Sequence, residues 1–436
     1  ISLALTAYYL AEGSTGTFFD TDVLIVNPNT SEASGVISFL TPQGAAIEQT
    51  FTAPPRSRLT IAADSVAGIE NTAFSTIVTS ATGAPLVVER TMRWDATGYG
   101  GHGAEATAPA TQWYFAEGAQ GFFSTYVLLF NPHAEANRAT VTWLRENALP
   151  ITRTYDLAPM ARYTIDAGAD PELVNRSFGM TIRFDHPGLA ERAMYFGGPP
   201  LWRAGHGAAG VTQPSPSWFF AEGATGSYFE TFILLSNPNI APADVTLTFL
   251  PDTGAPVTIQ RTISEMGRLT INIEQDGPGL ANAAVATQVV STQPIVAERA
   301  QYWPFTPDRW FEAHASAGVT AAGEDWGLAE GRVGGTEGYQ TYILLANPGT
   351  SPADVTITFV RETGAAVTKT FTVMPTSRFN VSTGPDTLVP ELVNERFGAI
   401  IHATAPIIVE RALYWNGASG EVWSAGTNVT GTRLTP

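Results

Sequence analysis

The chain has 436 residues, 44% of them hydrophobic and only 14% charged, with 23 Lys+Arg against 40 Asp+Glu and a formal charge of −17. That is a foldable composition long enough for about two to four domains. The acidity argues against nucleic acid, which needs clustered Lys and Arg, and against docking on anionic lipid. No run approaches the roughly 18 apolar residues of a membrane helix, so no direct membrane insertion is expected.

Cysteine is absent, which removes disulfides, thiolate nucleophiles and Cys-ligated metals. The only lysine is Lys369, so a Lys–Asn isopeptide staple in every domain is excluded, as is lysine Schiff-base chemistry over most of the chain. The chain opens at Ile1 with no charged-then-apolar signal segment, which reads as a processed chain or a piece of a longer one.

Taken in chain order, four markers recur four times. The first is an aromatic-rich segment ending in Ala-Glu-Gly, with Glu12, Glu117 and Glu222 at a spacing of 105 residues and Glu330 after a further 108. An apolar run then ends at Asn27-Pro28, Asn131-Pro132, Asn237-Pro238 and Asn347-Pro348. Next come Arg58, Arg162, Arg268 and Arg378, each opening a short alternating run. Last are the dipeptides Glu89-Arg90, Glu191-Arg192, Glu298-Arg299 and Glu410-Arg411, followed by an aromatic end such as Tyr302-Trp303. The markers divide the chain into homologous domains at 1–107, 108–212, 213–321 and 322–436.

Each copy reads as β. The segments 244–249 and 354–359 alternate strictly, with Val245, Leu247 and Phe249 on one face and Thr246 and Thr248 on the other. Turns such as Pro251-Asp252-Thr253-Gly254 follow them. The run 342–346 is apolar on both faces, as a central strand is, and Asn347-Pro348 stops it. The fourth copy gives seven strands: around Leu328, then 341–347, 354–361, 366–373, 377–382, 397–403 and 407–415. The one helical signal is a turn such as 170–175, with Asp170 as N-cap and Pro171 at N1. The fold expected is therefore all-β, four tandem immunoglobulin-like seven-stranded β-sandwich domains. Short linkers rich in small residues and proline favour a rod or bent string. A four-bladed propeller is the competing architecture, but its blades are four-stranded and shorter.

In a strand the side chains of Glu89 and Arg90 point to opposite faces and cannot pair with each other. Each copy supplies one further arginine and one further glutamate, so acids and bases balance. Glu12, Arg58, Glu89 and Arg90, with Glu117, Arg162, Glu191 and Arg192, then Glu222, Arg268, Glu298 and Arg299, then Glu330, Arg378, Glu410 and Arg411, are expected to form a structural ion-pair network in each domain. The catalytic alternative makes Glu12 and Glu89 a glycosidase carboxylate pair, which requires roughly 5–10 Å across a cleft.

His102, His206 and His314 recur before each linker, and Thr427 takes their place in the fourth copy. One histidine per domain is a poor zinc site. Hydrogen bonding to backbone at the junction with the next domain fits better, the last copy having no successor. Asp20 and Asp22 suggest calcium, but their counterparts Ser124 and Tyr126, Glu230 and Phe232, and Gln340 and Tyr342 do not keep the ligand type. No cofactor motif occurs. Trp94, Trp202, Trp303, Trp310 and Trp423 follow the Glu-Arg strand, either presenting rings to a glycan or packing between domains. Sequons at Asn29, Asn175, Asn380 and Asn428 are weak signals in a Ser/Thr-rich chain.

With Trp113-Tyr114-Phe115-Ala116-Glu117-Gly118, Leu129-Phe130-Asn131-Pro132 and Ala190-Glu191-Arg192-Ala193-Met194-Tyr195, the chain resembles a family of tandem repeats of roughly 100 residues in secreted bacterial surface proteins. The resemblance spans essentially the whole chain. It implies an immunoglobulin-like sandwich and a secreted or cell-surface setting, and it carries no activity. Gly327 in place of the opening aromatic, and Thr427 in place of histidine, depart from it.

The function expected is a non-enzymatic structural or adhesive protein of a bacterial surface, with other surface or matrix proteins, or copies of itself, as partners. Residues 1–7, apolar and ahead of the first domain, are the candidate strand for addition to a neighbour's sheet edge. The alternative is an array binding glycans through the loop tryptophans.

Overall fold

The computed structural model describes residues 6–44, 46–94, 100–198, 202–304, 310–417 and 420–434, and it is nearly all β. In the first repeat the strands are β1 (Thr6–Leu10), β2 (Phe19–Asn27), β3 (Ala33–Leu40), β4 (Ala46–Ala53), β5 (Ser57–Ala62), β6 (Ser75–Ser80), β7 (Val87–Trp94) and β8 (Gly101–Glu105). They form two four-stranded antiparallel sheets, ordered β1-β6-β3-β4 and β5-β2-β7-β8. Leu10, Ile37, Phe39 and Val78 of one sheet meet Val23, Ile25 and Val88 of the other in a buried core. Alternation in β3 drives this: Ala33, Gly35, Ile37 and Phe39 are buried while Ser34, Val36 and Ser38 are not.

The other three repeats keep these pairings with one shared change, and the fourth adds a two-residue strand, Thr432–Arg433, beside Gly323–Leu328. Their sixth and seventh strands run on as single 19-residue strands, Phe178–Phe196, Val285–Trp303 and Phe397–Trp415. The first half of each pairs in one sheet and the second half in the other. The segments 397–403 and 407–415, expected as two strands, are thus one. The turn at 170–175 follows a short 3-10 helix at Ala167–Ala169, and Asp170 accepts from the Glu172 N–H at 3.0 Å.

Each repeat has one strand beyond those expected, so the first has eight, while the second and third, where the merged strand counts once, have seven. The extra strand is β8 and its counterparts Ala204–Ala209, Glu312–Ala317 and Ala425–Thr430. Short and rich in Gly and Ala, these segments carry little strand propensity. Their composition serves close approach. A Cβ on Gly101 would lie 2.6 Å from the Trp415 ring, and one on Gly207 would lie 2.9 Å from His102 Nδ1.

Those four strands also settle the arrangement of the repeats. β8 packs on Ala204–Ala209, which packs on Glu312–Ala317, then on Ala425–Thr430, which returns to β8. The chain is a closed ring of four sandwiches about a common axis, neither the expected open string nor a propeller of single-sheet blades. Every junction has the same plan: the outer face of one repeat's second sheet covers the end of the preceding sandwich. Leu24, Val26 and Val87 pack on Ala329 and Val360 of the fourth repeat, closing the ring. Leu234, Val296 and Ala300 pack around Ala116, and Leu344, Ala346 and Ile408 around Ala221. Strands such as 342–346 are apolar on both faces because one face meets its own core and the other meets a neighbouring repeat. Thr6 and Ala7 pair with Ser80 and Thr79 of their own sheet; residues 1–5, the rest of the proposed donor strand, lie outside the described residues.

Candidate functional site

The recurring charged residues converge at the four junctions. Strand alternation turns the Glu-Arg dipeptide into a two-sided connector, with glutamate on the outer face of the sheet toward the preceding repeat and arginine on the inner face toward the next. Arg90 donates to Glu191 of the second repeat at 2.6 Å and to Glu12 of its own repeat at 3.1 Å. Arg192 pairs likewise with Glu298 and, at 3.1 Å, with Glu117. Arg299 reaches Glu410 at 3.1 Å and Glu222 at 3.2 Å. Arg411 closes the cycle on Glu89 at 3.0 Å, with Glu330 at 3.2 Å. These arginines and glutamates are all buried.

The second oxygen of each connector glutamate is also used. The backbone N–H of Ala11, Ala116, Ala221 and Ala329 donates to Glu191, Glu298, Glu410 and Glu89 at 2.5–2.7 Å. The remaining arginines cap neighbouring backbone: Arg162 on the Gly13 carbonyl at 2.9 Å, Arg268 on Ala116 at 2.9 Å, Arg378 on Gly223 at 2.6 Å and Arg58 on Ala329 at 3.0 Å. The network expected within each domain is there in the pairs of Arg90, Arg192, Arg299 and Arg411 with the Ala-Glu-Gly glutamate of the same repeat, but it also runs between domains. Burial pulls the Arg90 and Arg192 guanidiniums down, but the paired carboxylates more than offset it and hold both above their ordinary value. Burial raises Glu89, Glu117 and Glu298 despite their arginine partners. Glu12 and Glu89 serve different junctions and share no open cleft.

The histidines bond to side chains of the next repeat, where backbone partners were expected. His102 Nε2 lies 3.4 Å from the Tyr195 hydroxyl, His206 Nε2 3.2 Å from Tyr302 and His314 Nε2 3.1 Å from Tyr414. Each tyrosine hydroxyl in turn donates to the Ala-Glu-Gly glutamate of the preceding repeat, Glu12, Glu117 or Glu222. Burial pushes His102 and His206 well below the usual imidazole range, so both are neutral at pH 7. The fourth repeat does have a successor, the first. At that closing junction Thr427 replaces histidine and Arg93 replaces tyrosine, so both members of the pair change together. Arg411 donates to Thr427 at 2.5 Å, and Arg93 pairs with Asp22, one of the suggested calcium ligands, at 2.8 Å.

The aromatic residues follow the same division. Trp94 and Trp303 are buried. Trp202, Trp310 and Trp423 are half-buried and stack on Tyr195, Tyr302 and Tyr414 at 5.8, 4.4 and 5.0 Å between ring centres. None of the five stands free as a flat glycan platform. Sequence reasoning passed over the tyrosines, and also Trp113, Trp218 and Trp326, which fill the cores from β1-equivalent strands. The joint loss of Tyr in the first copy and His in the fourth was the available signal for closure. The Asn-Pro markers carry more than a strand stop: Asn27 Nδ2 donates to the Ser31, Ala53 and Pro54 carbonyls, clamping a turn, and Asn131, Asn237 and Asn347 make the corresponding bonds. The sequon side chain of Asn428 is buried and donates to Glu222 at 2.6 Å.

Glu105, at one end of the axis, is pushed up to about 7, chiefly by burial and then by the charges of Glu89, Glu191 and Glu410. A carboxyl raised in the folded state stabilises below its unfolded pKa, and that contribution is lost as pH climbs from about 4.3 to 7. Glu105→Gln should therefore be more stable than wild type at pH 8, and the difference should vanish near pH 4. Partial exposure limits it to on the order of 1–2 kcal/mol. Urea titrations of both proteins at several pH values measure this; a pH-independent difference would contradict it.

No family model matches the chain, and no curated protein matches it. Among solved structures, a protein described as Thermotoga maritima 1070 is 14% identical, covering 24% of this chain and 94% of its own, with a TM-score of 0.22. The Anabaena sensory rhodopsin transducer is 15% identical over 19% of this chain and 93% of its own, at 0.18. The tetra-tandem repeat from the extending region of a large adhesion protein is 12% identical over 92% of both chains, at 0.12. Likenesses this distant assign no function.

Proposed function

We propose that the chain is a non-enzymatic structural or adhesive protein of a bacterial surface, built as four tandem sandwich domains over 1–107, 108–212, 213–321 and 322–436 that act as one rigid ring. Each domain is immunoglobulin-like in stacking two antiparallel sheets, with its own strand order and an added strand at the axis. The observation that carries the reading is the use of the repeated acids and bases. All make bonds across repeat junctions, and all but the partly exposed Arg162 and Arg268 are buried there, out of reach of a substrate. Acid–base catalysis needs such groups poised beside a bound substrate. The sheet faces that would make an isolated sandwich adhere to copies of itself are covered within the ring, so the working unit is a single chain displayed in a secreted or cell-surface setting.

Labelling intact, unpermeabilised source cells with an antibody against the folded protein tests this reading, alongside hydrolysis assays on glycoside, ester and peptide substrates. Surface labelling without turnover supports it. Labelling only after permeabilisation, or turnover abolished by Glu12→Gln in a protein that still folds, would overturn it.

A further inference from the structure

We propose that the closing junction, between the fourth and first repeats, holds a binding site for a carboxylated sugar. A cleft of about 830 Å³ opens there, lined among others by Phe18, Asp20, Arg93, Arg332, Glu337 and Arg396. The repeats supply their own comparison. Arg93 stands where the other copies have Tyr195, Tyr302 and Tyr414. Arg332 and Arg396 form a β-bridge whose counterparts are Ser14 with Ala73, Ala119 with Ser177, and Ala224 with Ala284. Three arginines have thus been gained around one cleft, at positions where ring architecture elsewhere uses a tyrosine or a small residue. The stacked tryptophan of the other junctions has no counterpart here, since the sequence between Trp94 and His102 contains none.

The mixture of groups selects the ligand class. Arg93 is held by Asp22, and Arg332 lies 3.8 Å over the Tyr339 ring and 3.3 Å from Glu337, so both guanidiniums are fixed in place. Arg396 makes no hydrogen bond or ion pair from its guanidinium among the described residues and is partly exposed, free to take a carboxylate by the paired N–H geometry arginine favours. Asp20 and Glu337 on the same walls are acceptors that would repel a phosphate but accept from sugar hydroxyls, and Asn416 adds an amide. Phe18 and Phe19, half-buried and edge-to-face at 4.8 Å, offer an apolar surface to the C–H face of a ring. A monoanionic polyhydroxylated ring meets all of these; a neutral sugar leaves the arginine unused. Trp94 also lines the cleft, but the site does not involve the half-buried Trp202, Trp310 and Trp423, and it is independent of the scaffold role, which stands whether or not the cleft is filled.

Titration calorimetry on the full chain, with trigalacturonate and sialyllactose as probes and maltotriose and inorganic phosphate as controls, tests the proposal. Saturable binding of at least one acidic sugar, without maltotriose binding, is expected. Arg396→Ala should weaken it about tenfold or more, and Arg332→Gln by a similar factor, with melting temperature confirming that each variant is folded. Trp202→Ala, at another junction, should leave it unchanged. No saturable binding of either acidic sugar, equal affinity in a folded Arg396→Ala, or phosphate binding as tightly as the sugars would overturn the proposal.

Discussion

Glu89→Ala should lower the unfolding free energy by about 3–5 kcal/mol, as much as the equivalent change Glu298→Ala. Glu89 accepts from Arg411 at 3.0 Å and from the Ala329 N–H at 2.6 Å, both belonging to the last repeat. Removing its carboxylate leaves Arg411 buried with Glu330 as its remaining carboxylate, and leaves a buried N–H without its acceptor. In an open string Glu89 would sit on the exposed outer face of the first sandwich, where losing a surface charge costs roughly 0–1 kcal/mol. Urea denaturation of the two variants beside wild type distinguishes the cases. A cost below 1 kcal/mol for Glu89→Ala, with a large cost for Glu298→Ala, would mean the ring is open.

Trp113→Ala should cost about 3–5 kcal/mol by a different route. The Trp113 ring is fully buried in the second core and its Nε1 donates to the Gly188 carbonyl at 2.9 Å. Truncation removes one of the buried tryptophans of that core, where Trp143 is another, and strands a carbonyl at once. The first repeat has Tyr8 at this position, where the hydroxyl accepts from the Leu86 N–H at 2.6 Å, so Tyr8→Phe should cost only about 1 kcal/mol. Denaturant midpoints for both variants give the comparison; a cost under 1 kcal/mol for Trp113→Ala would show that the ring does not pack as described.

Much of each sandwich was legible in the sequence because period-two alternation records which face of a strand is buried. Strands 354–361, 366–373 and 377–382 are observed at Ala353–Arg361, Val367–Val373 and Ser377–Ser382. The axial strands were not legible, because Gly101, Gly103, Gly205 and Gly207 are chosen for backbone approach to a neighbour and carry no local strand signal. Ring closure left two traces that an open string explains poorly. One is strand runs apolar on both faces, such as 342–346. The other is the change of Tyr to Arg93 in the first copy together with His to Thr427 in the fourth, positions 334 residues apart in the sequence that belong to one junction. The balance of acids and bases was readable by counting, but their partners were not, because composition does not say whether a buried pair lies within a repeat or between two. The arginines of the closing cleft stood out only when each repeat was compared with the other three.

Small-angle X-ray scattering of the purified chain tests the closed ring most directly. A compact particle of this length has a radius of gyration of about 22 Å. Four separate sandwiches in a row, each with a radius of gyration of about 13 Å, would give roughly 40 Å. The ring predicts a value within a few ångströms of the compact figure and a single-peaked distance distribution. A value near that of the row, with a long tail of distances, would contradict it.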